Sequence, residues 1–266
     1  LYNFEGQQLQ RLKKGTSSAE AVTLCFYIKT TITGTYVVQL YDNDNNRGVS
    51  KSYTVSSANT WEKKTITFPA DTTGAFGDDN ALSLLIRWWF AAGTTYTSGT
   101  LATTWESFTA ANAAVGQVNA VNSTSNNIFL TGVQMEIGDA ATAFEHEDFA
   151  TTLAKCQRYY YKISGAANLD LGVGMCNTTT LAAINCPYAV PMRAKPTAVE
   201  QSGTVTHYDV LVDNSVVIGN TVPVFQRATT VSVTVGFQAA SGLTAGEGTI
   251  MRTRNDSGFL AWSAEL

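Results

Sequence analysis

Apolar and polar residues alternate in short runs along most of this chain, and turn-forming residues separate the runs. Successive side chains of a strand point to opposite faces, so such alternation marks half-buried strands. Strands are predicted over 21–30 (AVTLCFYIKT), 35–42 (TYVVQLYD), 49–56 (VSKSYTVS) and 60–70 (TWEKKTITFPA). In the last, Lys64, Ile66 and Phe68 fall on one side, and Trp61, Lys63, Thr65 and Thr67 on the other. The polar run DNDNN (42–46) between two of them is rich in turn formers. The stretch 81–93 (ALSLLIRWWFAAG) is nearly all apolar, as expected of a strand covered on both faces. A Thr/Ser/Gly/Ala/Asn-rich stretch follows over 93–127, with Tyr96, Leu101, Trp105 and Phe108 as scattered anchors. A further strand is predicted over 127–138.

The pattern then changes. Phe149, Leu153, Cys156, Tyr160 and Ile163 recur at roughly helical spacing behind a charged lead-in, FEHEDF, and predict a helix over 147–163. Glu145, Glu147 and Asp148 suit the start of that helix. Tyr159, Tyr160 and Tyr161 cannot all face inward from a helix, so at least one is expected to meet a neighbouring subunit or domain. Such a helix is too short for a stable coiled coil alone. Two readings stand: a connector packed against symmetry mates, or a helix laid on its own domain. Alternation returns over 169–179, 180–190, 207–217, 231–240, 247–255 and 258–266, with two prolines marking an edge or turn in 191–201. The expected architecture is therefore all-β: an N-terminal jelly-roll sandwich (1–146), a short helical connector (147–165) and a C-terminal antiparallel β-sandwich (166–266).

Composition narrows the function classes. The 266 residues are 44% hydrophobic and only 14% charged, with a net charge of −4. There is no basic footprint for nucleic acid, and no apolar run long enough for a membrane-crossing helix. The chain begins without methionine, and an excised or processed piece of a longer protein is expected. Cys25, Cys156, Cys176 and Cys186 fit no zinc spacing. Free thiols are expected, with a Cys176–Cys186 pair as the alternative.

Several stretches in order carry a resemblance: EGQQLQRLKKGT, VQLYDNDNNRGVSKSYTV, TWEKKTITFPADTTGAF, TGVQMEIGDAATAFE, LAKCQRYYYK, VPMRAKPT and AWSAEL. Together they resemble tailed-bacteriophage fibre and appendage proteins with a carbohydrate-binding-module-like jelly roll and a C-terminal β domain. The resemblance implies a non-enzymatic virion module of a tail fibre, spike or head appendage. It also implies a homotrimer, contact with other virion proteins and adhesion to bacterial surface polysaccharide. In that family a strand opens the jelly roll; ahead of EGQQ it is expected to be short or missing. Three alternatives remain: a structural fibre or head-decoration component without a ligand, a fragment of a polysaccharide depolymerase, and a soluble carbohydrate-binding module.

Glycan binding needs exposed aromatic faces with hydrogen-bonding neighbours. Trp88 and Trp89 are adjacent in a strand, so one faces the core and the other, expected to be Trp89, needs a partner outside. Tyr96, Trp105 and Phe108 lie in the long loop and serve either binding or loop anchoring. Asp42, Asp44 and Asn46 match the start of a calcium loop, but Arg47 and Tyr53 stand where its glycine and bidentate glutamate belong. No cofactor is expected, although related jelly rolls hold a structural calcium near the domain's chain ends. Two lone histidines, His146 and His207, without a nucleophile elbow argue against catalysis.

Overall fold

The computed structural model describes residues 1–265. They divide into two compact units, 1–146 and 147–265. In the first, β1 (Tyr2–Glu5) leads into a short helix, α1 (Gly6–Leu9), through a Glu5/Gln8 capping box. There follow β2 (Val22–Thr30), β3 (Gly34–Asp42), β4 (Arg47–Val55), β5 (Glu62–Phe68) and β6 (Leu82–Trp89). Then come α2 (Thr94–Thr97), β7 (Glu106–Ser107) and β8 (Ile128–Ile137).

The strands form one sheet in the order β1-β6-β3-β4-β7 and a second in the order β5-β2-β8. The chain switches sheets between β2 and β3, between β4 and β5, and between β5 and β6, as a jelly-roll sandwich requires. The opening strand is present, four residues long, on the edge beside β6. Leu24, Phe26 and Ile28 of β2 meet Tyr36, Val38 and Leu40 of β3 in a common core. Ile66 and Phe68 of β5 enter it too, on the face their alternation assigns. The β3–β4 hairpin runs in unbroken register from Gly34↔Val55 to Asp42↔Arg47. Its loop ends on Asn46 at φ 48°, a left-handed conformation that asparagine tolerates better than most residues.

In the second unit, α3 (Phe149–Gln157) is capped by Asp148, whose carboxylate accepts from the Thr151 N–H at 3.0 Å. The helix ends well short of the predicted 163. β9 (Tyr160–Ser164) follows it directly and pairs with β18 (Phe259–Ser263), from Tyr160↔Ser263 to Ser164↔Phe259. The segment expected as a connector is thus partly a strand of the C-terminal unit. Tyr161 and Ile163 face that unit's core, whereas Tyr160, Lys162 and Ser164 are exposed. Tyr161 stacks on Trp262 at 6.2 Å, so it is not free for a subunit contact. Tyr160 points outward and its hydroxyl donates to Glu200 at 3.1 Å; Tyr159 is half-buried.

The remaining strands are β10 (Asp170–Cys176), β11 (Leu181–Pro187), β12 (Glu200–Gln201), β13 (Tyr208–Val212), β14 (Ser215–Ile218), β15 (Val224–Ala228), β16 (Ser232–Gln238) and β17 (Gly248–Thr253). A seven-stranded sheet, β14-β13-β17-β10-β11-β16-β15, faces a three-stranded one, β12-β18-β9, across a single core. The run 207–217, predicted as one strand, is a hairpin. Asp213 and Asn214 both have positive φ, 45° and 59°, and make the two-residue turn between β13 and β14.

All four cysteines are free, and Cys25, Cys176 and Cys186 are buried. Burial pushes the Cys186 thiol up to about 12 and raises that of Cys176. Only a thiolate reacts readily. An aromatic disulfide reagent at pH 8 is therefore expected to modify Cys156 quickly and the other three only after denaturation. Rapid titration of more than one thiol in the native chain would contradict these burials.

Candidate functional site

The outer face of the five-stranded sheet carries Gln39 and Tyr41 of β3 beside Arg87 and Trp89 of β6. Pairing places Gln39 opposite Arg87, and Val37 opposite Trp89. The loop after β6 folds back over this face. Ser50 N–H donates to Ala102 O at 2.7 Å, the Ser50 hydroxyl donates to Ala113 O at 2.8 Å, and Val118 N–H donates to Thr35 O at 2.7 Å. Val37 is fully buried beneath it. The loop also delivers Tyr96, on α2, to Trp89, with ring centroids 5.0 Å apart. Trp88, one residue earlier, turns the other way and packs edge-on against Phe26 in the core at 5.9 Å.

Phe108, just past β7, lies edge-on to Tyr41 at 5.0 Å. Its ring lies over Gly48, where a Cβ would be in ordinary van der Waals contact with it at 3.4 Å. The guanidinium of Arg87 lies 4.0 Å from the centre of the Tyr41 ring and 5.8 Å from that of Phe108. Burial lowers the Arg87 pKa, opposed by the nearby Tyr41 and Tyr96 hydroxyls. Three of the sequence-predicted residues, Trp89, Tyr96 and Phe108, therefore converge around one arginine. Tyr96 is exposed, while Trp89 and Phe108 are half-buried.

Trp105 goes elsewhere. It packs against the sandwich core, its indole N–H donates to Pro69 O at 2.8 Å, and the Lys14 ammonium lies 5.2 Å from its ring centre. Of the two roles open to Trp105, binding or loop anchoring, these contacts supply the anchor, and they keep it apart from the Arg87 group. Lys14 is itself nearly buried. Its ammonium meets Asp42 at 2.6 Å and Asp71 at 3.0 Å, and donates to the carbonyls of Thr73 and Gly74 at 2.9 and 2.8 Å. Arg47 holds the other side of Asp71 at 2.8 and 3.0 Å. The carboxylate that opens the DNDNN loop thus serves an internal ion cluster. Among the described residues, no three His, Cys, Asp or Glu side chains converge as a metal site would require.

A second aromatic group lies on the outer face of the three-stranded sheet and was not singled out from the sequence. Trp61 and Phe129 are 45% and 48% exposed, and Lys29 reaches between their rings at 5.5 and 5.0 Å from the centres. The outward positions of the 60–70 alternation already contained Trp61, and that signal sufficed to find it.

In the C-terminal unit, His207 Nδ1 lies 2.8 Å from the Ser202 hydroxyl. Both the N–H and the hydroxyl of Ser202 also engage the Tyr208 hydroxyl, at 2.9 and 3.0 Å, and Tyr208 donates onward to Phe259 O. This network closes the turn before β13. Among the described residues no carboxylate hydrogen-bonds His207, so the third member of a triad is absent there.

Set against known protein families, characterised proteins and solved structures, the chain matches none.

Proposed function

We propose that this chain is a non-enzymatic adhesion module of a phage virion appendage, holding bacterial surface polysaccharide through its N-terminal sandwich. The observation that carries the reading is the set of Tyr41, Trp89, Tyr96 and Phe108 around Arg87 on one face. Aromatic faces stack on sugar C–H groups, and the half-buried arginine supplies the polar contact that orients a ring. The resemblance of EGQQLQRLKKGT through AWSAEL to fibre proteins supports the same reading. A homotrimer is part of it, because linked weak sites gain 10²–10⁴-fold in avidity on a repetitive surface. The helix α3 offers apolar surface for self-association: Phe149 and Leu153, one turn apart, are 79% and 41% exposed.

Binding of the purified chain to extracted polysaccharide should be saturable. Tyr96→Ala is expected to weaken it about tenfold, ~1.4 kcal/mol, without changing the melting temperature. Light scattering should return a mass near three times the 28.5 kDa chain. Absence of saturable binding to every polysaccharide tried defeats the adhesion reading. A stable monomer at micromolar concentration defeats the trimer.

A further inference from the structure

We infer that the glycan held at Arg87 is an acidic one, and that Arg87 binds the carboxylate of a uronic-acid-type sugar. The inference rests on the adhesion reading above and adds the chemical class of its ligand.

Arg87 differs from the chain's other sequestered guanidiniums. Arg47, 16% exposed, is paired with Asp71, and Arg252, 17% exposed, is paired with Asp209 at 3.1 Å. Arg87 is half-buried as they are, yet among the described residues no carboxylate lies within ion-pair distance of it. Its one hydrogen bond there is long, 3.5 Å from Nη1 to Gln39 Oε1. Taking a charge partly out of water without a partner is costly, and stacking on Tyr41 and Phe108 recovers only part of that cost. The fork of remaining N–H donors suits a planar oxyanion approaching in the guanidinium plane.

The surroundings say which anion. Among the described residues Arg87 is the one cation stacked on these rings, so a singly charged group balances it, and a phosphate dianion would be left in excess. The neighbours are Tyr96, exposed at the rim, and Phe108. A pyranose ring can lie on such faces while a carboxylate on its C5 reaches the guanidinium. A hexuronate supplies both the apolar ring face and the single in-plane charge.

The test uses the whole chain, polygalacturonate and alginate as probes, the same polymers after chemical reduction of their carboxyls to alcohols, and a panel of neutral glucans. Reduction removes the charge and keeps the ring and linkage. The expected result is binding to at least one polyuronate that falls tenfold or more on reduction, weakens with added salt, and is lost in Arg87→Gln while the melting curve stays in place. Arg87→Lys keeps the charge but not the planar fork; it should bind measurably more weakly than the parent chain, and it serves if the glutamine variant does not fold. Equal binding of native and reduced polymers, or unaltered polyuronate binding by the Arg87 variants, overturns the inference and leaves glycan adhesion intact. Binding confined to neutral glucans does the same. Binding to no glycan, charged or neutral, overturns the adhesion reading and the inference with it.

Discussion

Replacing Lys14 with alanine is expected to destabilise the N-terminal unit by about 3–5 kcal/mol, the cost of removing one partner from a buried ion pair. The Lys14 side chain is 4% exposed and that of Asp42 is not exposed at all. Without the ammonium, Asp42 and Asp71 face each other's charge in a site closed to water. The carbonyls of Thr73 and Gly74 lose a donor as well. Asp42 retains only Asn45, whose N–H and side-chain amide donate to it at 3.0 and 2.9 Å. A domain is typically stable by about 5–15 kcal/mol, so the loss takes a large share of the margin. Four of the five tryptophans, Trp61, Trp88, Trp89 and Trp105, lie in this unit, so urea unfolding followed by tryptophan fluorescence reports on it directly. A loss below about 1 kcal/mol, the range of exposed pairs, would mean that the cluster is open to solvent.

The same cluster sets an acid limit. Burial works against the Asp71 carboxylate, but the hydrogen bonds from Arg47 and Lys14 outweigh it and hold its pKa below the ordinary value. A carboxylate with a depressed folded pKa contributes stability that is complete above its unfolded pKa, near 4, and is lost as pH falls through the folded value. The Lys14→Ala variant should therefore show a shallower loss of stability below about pH 4 than the parent chain.

The second large effect is expected in the C-terminal unit, where Trp262→Ala should cost about 3–5 kcal/mol. Trp262 is wholly buried, stacks on Tyr161 at an interplanar angle of 17°, and meets Tyr188 edge-on at 5.7 Å. It also sits in β18, the central strand of the three-stranded sheet. Removing the indole leaves a cavity that two rigid rings cannot fill by collapsing. Among the described residues its N–H meets no hydrogen-bond partner, so Trp262→Phe loses no polar contact and should cost clearly less. Amide hydrogen exchange on β9 and β18 separates this unit's opening from that of the other. Unchanged protection in Trp262→Ala would show that the core does not depend on this ring.

How the sequence misled over 147–163 is instructive. Phe149, Leu153, Cys156, Tyr160 and Ile163 satisfy a helical period, but Tyr161 and Ile163 alternating with Tyr160 and Lys162 satisfy a period of two equally well. The choice is made by β18, which comes far later in the chain and offers β9 a backbone ladder and the Trp262 ring. The ion cluster was illegible for a related reason. Lys14, Asp42 and Asp71 are remote in sequence, and only the folded sandwich brings them together. Arg87 did leave a trace, as the lone charge in the apolar run 81–93, and that oddity is what the site is built on.

The all-β class, most strand faces and the split of Trp88 and Trp89 to opposite sides were legible along the chain, because each follows from the period of neighbouring residues; the Asp148 cap was legible from its acceptor side chain at the start of an apolar helical run. Tertiary structure alone decided where the helix yields to a strand, which aromatics remain open to a ligand, and which charges are paired. Those outcomes depend on what lies across a sheet or beneath a loop, and desolvation is a property of that surrounding rather than of the residue.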